Sequence, residues 1–117
     1  MDTYRIKNWN EHFEVAQSRK CHGMKMSWVA IPNKHDGKSY RRLTKEPEFG
    51  NILAAWLLIV QVASKQAIRG QLEDSDGPLT AEDLSDSTGL DEQWFELAFE
   101  KLSDPRIGWL EIVKKGI

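Results

Sequence analysis

The sequence predicts a mostly helical domain with a small β component. Three stretches predict it. Residues 49–68, FGNILAAWLLIVQVASKQAI, are an apolar run at helical spacing. Residues 80–102 carry two shorter helical patterns that meet at Gly89. Residues 69–72 and 108–113 are short segments suited to strands, one before that pair and one after it.

The central stretch organises the rest. Phe49, Ile52, Leu53, Trp56, Leu57, Val60 and Ala63 fall on one helical stripe, and Leu58, Ile59 and Val62 fill much of the other side. A helix that is apolar almost all round is buried or lies in a membrane. A membrane span needs ~20 apolar residues, and here Ser64, Lys65 and Gln66 close the run early. It is expected to be the buried centre of a small domain, with no membrane partner. Asn51 is the expected N-cap and Gly70 the stop.

At 117 residues the chain is one domain, or a fragment carrying one. Five Trp and four Phe supply a large apolar payload. Cys21 is the single cysteine, so no internal disulfide can form, which fits a reducing cytoplasm. The first fourteen residues contain no apolar run of the kind a secretory signal needs.

Charge is unevenly divided. Residues 1–45 hold ten Lys/Arg against four Asp/Glu, and residues 46–117 hold six against fourteen. The first segment is thus net +6 and the second net −8. A basic segment on an acidic body suits an anionic partner such as nucleic acid. It equally suits packing of the segment on its own body, within one chain or across a dimer. The expected division is a basic N-terminal extension, residues 1–48, packed on a core of residues 49–117.

Along the chain, Tyr4 and Ile6 alternate with Arg5 and Lys7, as in a short strand or extended arm. Trp9, Phe13 and Ala16 give a short amphipathic helix to about Arg19. Residues 24–31 alternate with period two and read as a strand ended by Pro32, followed by a turn at Asp36-Gly37. Ser39 opens a short helix through Tyr40 and Leu43 that must end before Pro47. Residues 73–78, EDSDGP, read as a polar loop. Thr80 with Asp83 approximates a capping box for the next helix. Asp91 caps the last helix, whose stripe is Phe95, Ala98, Phe99 and Leu102, and Lys114-Lys115-Gly116 reads as a turn.

Two short helices hinged at a glycine have helix-turn-helix spacing. Leu84 and Ser85 lie five and four residues before Gly89, Leu90 follows it, and Phe95 and Ala98 lie six and nine residues after it. Two crossed helices must bury apolar or small groups at such places. With the central helix and the two strands, the order is that of a winged helix-turn-helix with an N-terminal extension. The alternative is an ordinary helical hairpin. Trp56, Leu57, Leu84, Phe95, Phe99 and Leu102 are expected to be buried, with Leu57→Ala costing ~2–5 kcal/mol.

The stretches WVAIPNKHDG (28–37), AAWLLIVQVASK (54–65), RGQL (69–72) and IGWLEI (107–112) resemble the N-terminal region of phage replication-organiser proteins and DnaD-like primosome proteins. The resemblance runs from about Trp28 to Ile112. It implies a winged-helix domain, extra elements that mediate oligomerisation, and a role in phage or bacterial replication initiation. The implied partners are DNA, a second copy of the chain and other replication proteins. A separate C-terminal region often carries much of the DNA contact in that family.

The second helix of a helix-turn-helix normally enters the major groove. Here that helix carries Asp91, Glu92, Glu96 and Glu100 against Lys101 alone. Glu92, Glu96 and Glu100 form an acidic stripe that phosphates would repel. The candidate nucleic-acid contacts are therefore Arg5, Lys7, Lys34, Lys38, Arg41, Arg42 and Lys45, with Lys114 and Lys115 at the wing. Arg41-Arg42 beside Tyr40 is the densest cluster. Any single one of them also serves as an ordinary solvated cation.

No catalytic, metal or cofactor signature competes with this. His12, Cys21, His22 and His35 match no zinc spacing. There is no phosphate-binding glycine loop and no nucleophile elbow. The expectation is a non-enzyme without cofactor or small-molecule substrate: a DNA-binding domain or, in the same fold, an oligomerisation module.

Overall fold

The computed structural model describes residues 2–14, 29, 31 and 37–113. In chain order the elements are strand β1 (Thr3–Ile6), helix α1 (Trp9–His12), helix α2 (Lys38–Leu43) and the long helix α3 (Phe49–Ser64). A small hairpin follows, β2 (Glu73–Asp74) and β3 (Gly77–Pro78), then helices α4 (Ala81–Thr88) and α5 (Glu92–Leu102) and strand β4 (Leu110–Val113). The result is mostly helical with a small antiparallel β component, and among the described residues no helix is long and apolar enough to cross a membrane.

Helix α3 is the core element, but its buried face is rotated from the expected one. Ile52, Ala55, Trp56, Ile59, Val60 and Ala63 are buried, whereas Leu57 is 40% exposed. The expected burial of Leu57 is thus wrong, and with it the large cost assigned to Leu57→Ala. Where nearly every side chain is apolar, periodicity does not say which face turns inward. Helices α4 and α5 both pack against α3, and Leu57 falls outside the face it buries. The helix also stops at Ser64, short of the expected 68. Lys65 N–H donates to Val62 O at 3.1 Å and Gly70 N–H folds back to Ala63 O at 3.0 Å. Its N-cap position is Glu48, and Asn51 lies inside the first turn, donating to Glu48 Oε2 at 2.7 Å.

Strand β1 lies between two segments distant in sequence. It pairs antiparallel with β4, with Thr3 opposite Val113 and Ile6 opposite Leu110. On its other edge Arg5 bridges Gln71, held by Ile6 N–H to Gly70 O and Leu72 N–H to Tyr4 O, both 2.8 Å. The expected strand over 69–72 contributes only this one bridge. Tyr4 and Ile6 turn inward, and Tyr4 stacks on Phe99 of α5 at 4.4 Å. The sheet is thereby fixed to the helix pair.

Gly70 ties the N-terminal segment down. Its φ is +95°, and a Cβ there would lie 2.6 Å from Trp9 Cγ. Only glycine meets both conditions. The Trp9 indole N–H donates to Glu14 Oε1 at 2.8 Å, and the same oxygen pairs with Arg69 Nη2 at 3.0 Å. Glu14 and Arg69 are nearly buried, their side chains 5% and 7% exposed. A buried pair of this kind adds little net stability when complete, but removing one partner costs ~3–5 kcal/mol.

The helix pair follows its local chemistry. Asp83 N–H donates to Thr80 Oγ1 at 3.1 Å and Thr80 N–H donates to Asp83 Oδ2 at 2.9 Å, a complete capping box. Gly89 at φ +84° ends α4 in the left-handed conformation. Asp91 takes the N-cap position of α5 without a side-chain cap bond. Leu84, Phe95, Ala98, Phe99 and Leu102 are buried, as expected.

Residues 73–78, expected as a loop, form the β2–β3 hairpin, with Asp74 opposite Gly77 across a two-residue turn. The expected helix to Arg19 is helical only over Trp9–His12, with Phe13 and Glu14 outside it, and residues 15–19 lie outside the described residues. Of the expected strand over 24–31 only Val29 and Ile31 are described, and neither is in a strand. The rest of that strand and the turn at 114–116 lie outside the described residues.

Candidate nucleic-acid interface

The described cationic candidates fall in three places. Arg5 is exposed on β1, where its Nε lies 2.6 Å from Glu111 Oε1 across the ladder. That exposed pair contributes little to stability but partly neutralises the charge Arg5 offers a phosphate. Lys7, exposed in the turn after β1, extends along Gly108. Lys38, Arg41, Arg42 and Lys45 are all exposed or half-exposed, on α2 or just beyond it. Lys34, Lys114 and Lys115 lie outside the described residues.

The loop at 105–109 brings the second and third of these places together. Arg42 Nη1 donates to Arg106 O at 3.1 Å. Lys7 runs along Gly108 in the same loop, which turns at φ +67°. The loop adds Arg106, a cation absent from the sequence-derived set. Asp104 grips its guanidinium at 3.0 Å. The bond holds the Asp104 carboxyl below its usual range.

Between these cations the structure opens a cleft of about 480 Å³, lined by segments of β1, α1, α2, α3 and the 105–109 loop. Its aromatic wall is continuous. Phe13 meets Trp56 edge-on at 6.0 Å, Trp56 lies 5.1 Å from Trp109, and Trp109 stacks near-parallel on Tyr40 at 6.4 Å. Lys7 and Lys38 are among its lining residues, and no Asp or Glu is among the described residues that line it. The exposed Leu57 belongs to this cleft. The sequence signals Tyr40 through its place beside Arg41-Arg42. Trp109 carries no such signal, because GWLEIV reads as plain strand and only the turn at Gly108 aims the indole at Trp56.

The exposed side of α4 and α5 is acidic. The Glu96 carboxyl, hydrogen-bonded to Glu92, holds the Glu92 carboxyl above its usual range. Burial adds to this, as do the charges of Glu96, Glu82 and Asp86. Two carboxyl groups hydrogen-bond only by sharing a proton, so this contact reports crowded negative charge on the exposed side of α4 and α5. Among the described residues no group of three His, Cys, Asp or Glu is placed to hold a metal ion.

The chain matches no protein-family model, and neither a curated protein nor a solved structure matches it.

Proposed function

We propose that this chain is a winged-helix nucleic-acid-binding domain of a phage or bacterial replication-initiation protein, in which the basic face around α2 binds and the second helix of the helix-turn-helix does not. The observation that carries the reading is the pair α4–α5. It is capped at Thr80, turned at Gly89, packed on α3 and followed by β4. Strand β1 adds support. It sits between the segment at 71 and β4, the place a strand returning from a wing would take. The departure from groove docking rests on charge: α5 would bring Glu92, Glu96 and Glu100 against phosphates.

A labelled duplex titrated at about 50 and 200 mM salt, with light scattering on the same sample, tests this. Binding should weaken with salt. Arg41→Gln with Arg42→Gln should lower the salt slope by about 0.9 for each phosphate that the variant leaves unneutralised. Changing Glu92, Glu96 and Glu100 to Gln should leave binding unchanged or strengthen it. Loss of sequence preference in that triple variant would restore groove docking by α5. Absence of binding to any nucleic acid in low salt would overturn the proposal. The second reading, a self-association module, is favoured by the opposed charge of the α2 face and the α4–α5 face. It forecasts a salt-sensitive dimer by scattering and no DNA binding.

A further inference from the structure

We infer that the aromatic cleft between α1, α2 and α3 seats an unpaired base of single-stranded DNA, with the neighbouring phosphates over Lys7 and Lys38. The inference rests on the nucleic-acid reading above and adds which form of nucleic acid the site takes. Three observations carry it.

The first is charge. Among the described residues that line this cleft there is no Asp or Glu, and Lys7 and Lys38 are among them. Another concavity, beside Leu58 and Leu79, is lined by Asp74 and Asp83 with Lys65. The occupant that complements the first cleft is therefore anionic.

The second is surface chemistry. Tyr40 and Trp109 are only half-buried, and their near-parallel rings continue into Trp56 and Phe13. The half-buried, near-parallel rings of Tyr40 and Trp109, with apolar Leu53 and Leu57 in the same lining, suit a flat apolar ligand face. A nucleobase has such a face and stacks on aromatic side chains with little regard to sequence. A base inside a duplex has its faces covered by its neighbours, so the base that enters must be unpaired.

The third is size. About 480 Å³ falls within the ~300–1,000 Å³ of small-ligand sites and holds a base with its sugar, while a second base would have to lie outside. The two lysines come from separate elements, the turn after β1 and the start of α2. They can thus meet phosphates on either side of one inserted nucleotide. The cations Arg41, Arg42 and Lys45 continue from Lys38 and extend the track along the strand.

The experiment uses the full chain and its own tryptophan fluorescence. A twelve-residue oligo-dT should quench the emission and bind more tightly than a duplex of equal length. Leu57→Glu places a carboxylate in the cleft from a position outside the core. It should weaken oligo-dT binding about five- to hundredfold, the usual range for removing one stacked base. Duplex binding, which relies on Arg41 and Arg42, should change far less. Lys7→Gln with Lys38→Gln should lower the salt slope for oligo-dT. The inference is overturned if the duplex binds as tightly as oligo-dT, or if both cleft variants bind oligo-dT as the parent does. It is also overturned if thymidine monophosphate binds as tightly as the oligomer, which would make the cleft a free-nucleotide site. Loss of all nucleic-acid binding, duplex included, would instead remove the functional reading itself.

Discussion

Two surfaces of this molecule are built from different materials. Around α2 the surface is cationic and aromatic, and no carboxylate is among the described residues that line its cleft. Across α4 and α5 the surface is carboxylate, so crowded that Glu92 and Glu96 share a hydrogen bond. Both stand on one hydrophobic core, to which Ile6, Trp9 and Leu43 contribute from the N-terminal segment and Leu84, Phe95 and Phe99 from the helix pair. The comparison teaches where a glycine-turned helix pair stops being informative. Helix-turn-helix spacing makes α5 the expected reader, but Glu92, Glu96 and Glu100 on it would repel a polyanion. The cations lie outside the helix pair, around α2.

The comparison breaks if the basic surface loses its footing, and Gly70→Ala is the change expected to do that. The new methyl would meet the Trp9 ring at 2.6 Å, and the backbone would stay at φ +95°. Left-handed strain together with overpacking costs about 4 kcal/mol. That is a large share of a typical stability of ~5–15 kcal/mol. Denaturant titration checks the loss, and hydrogen exchange should show α1 and β1 opening before α4 and α5. A loss under about 1 kcal/mol would mean that Trp9 does not pack on this glycine.

A smaller change sharpens the boundary between core and cleft. Ile59 is fully buried and Leu57 is 40% exposed, two residues apart on α3. Ile59→Ala should cost ~2–5 kcal/mol by leaving a cavity, and Leu57→Ala under about 1 kcal/mol. Equal costs for the two would put Leu57 back in the core and close the cleft.

The same pair shows what was legible in the sequence. Caps are local chemistry, so Thr80, Asp83 and Gly89 placed both ends of α4 from sequence alone. The stripe Phe95, Ala98, Phe99, Leu102 was equally legible, because polar residues mark the other side of α5. Helix α3 offers no such contrast, so its buried face was placed out of phase, taking in Leu57 and missing Ala55. The pairing of β1 between Gln71 and β4 is non-local, and four weakly alternating residues do not encode it. The cluster Arg41-Arg42 was readable as charge. The cleft was not, because its wall combines Phe13, Tyr40, Trp56 and Trp109 from four separate segments.

The smallest expected effect concerns the acidic surface alone. The folded state holds the Glu92 carboxyl above its usual range, chiefly through the hydrogen bond with Glu96. A carboxyl with a raised folded pKa binds a proton more readily folded than unfolded. As pH rises from the ordinary Glu value of about 4.3 through the raised one, the folded state must give up that proton, and stability falls. Asp104 acts in the opposite sense: Arg106 lowers its pKa, so its contribution is present above the ordinary Asp value and is lost as pH falls through the lowered one. Glu92→Gln removes the first effect and leaves the second. Thermal unfolding of parent and variant across the acid range should therefore give curves that separate with increasing pH, the variant becoming the relatively more stable above the ordinary Glu value. Curves that stay parallel would mean that the carboxyls of Glu92 and Glu96 do not touch, and that the acidic surface is a set of independent solvated charges. The repulsion that the proposed reading assigns to α5 would then be weaker than the crowding of Glu82, Asp86, Glu92 and Glu96 implies.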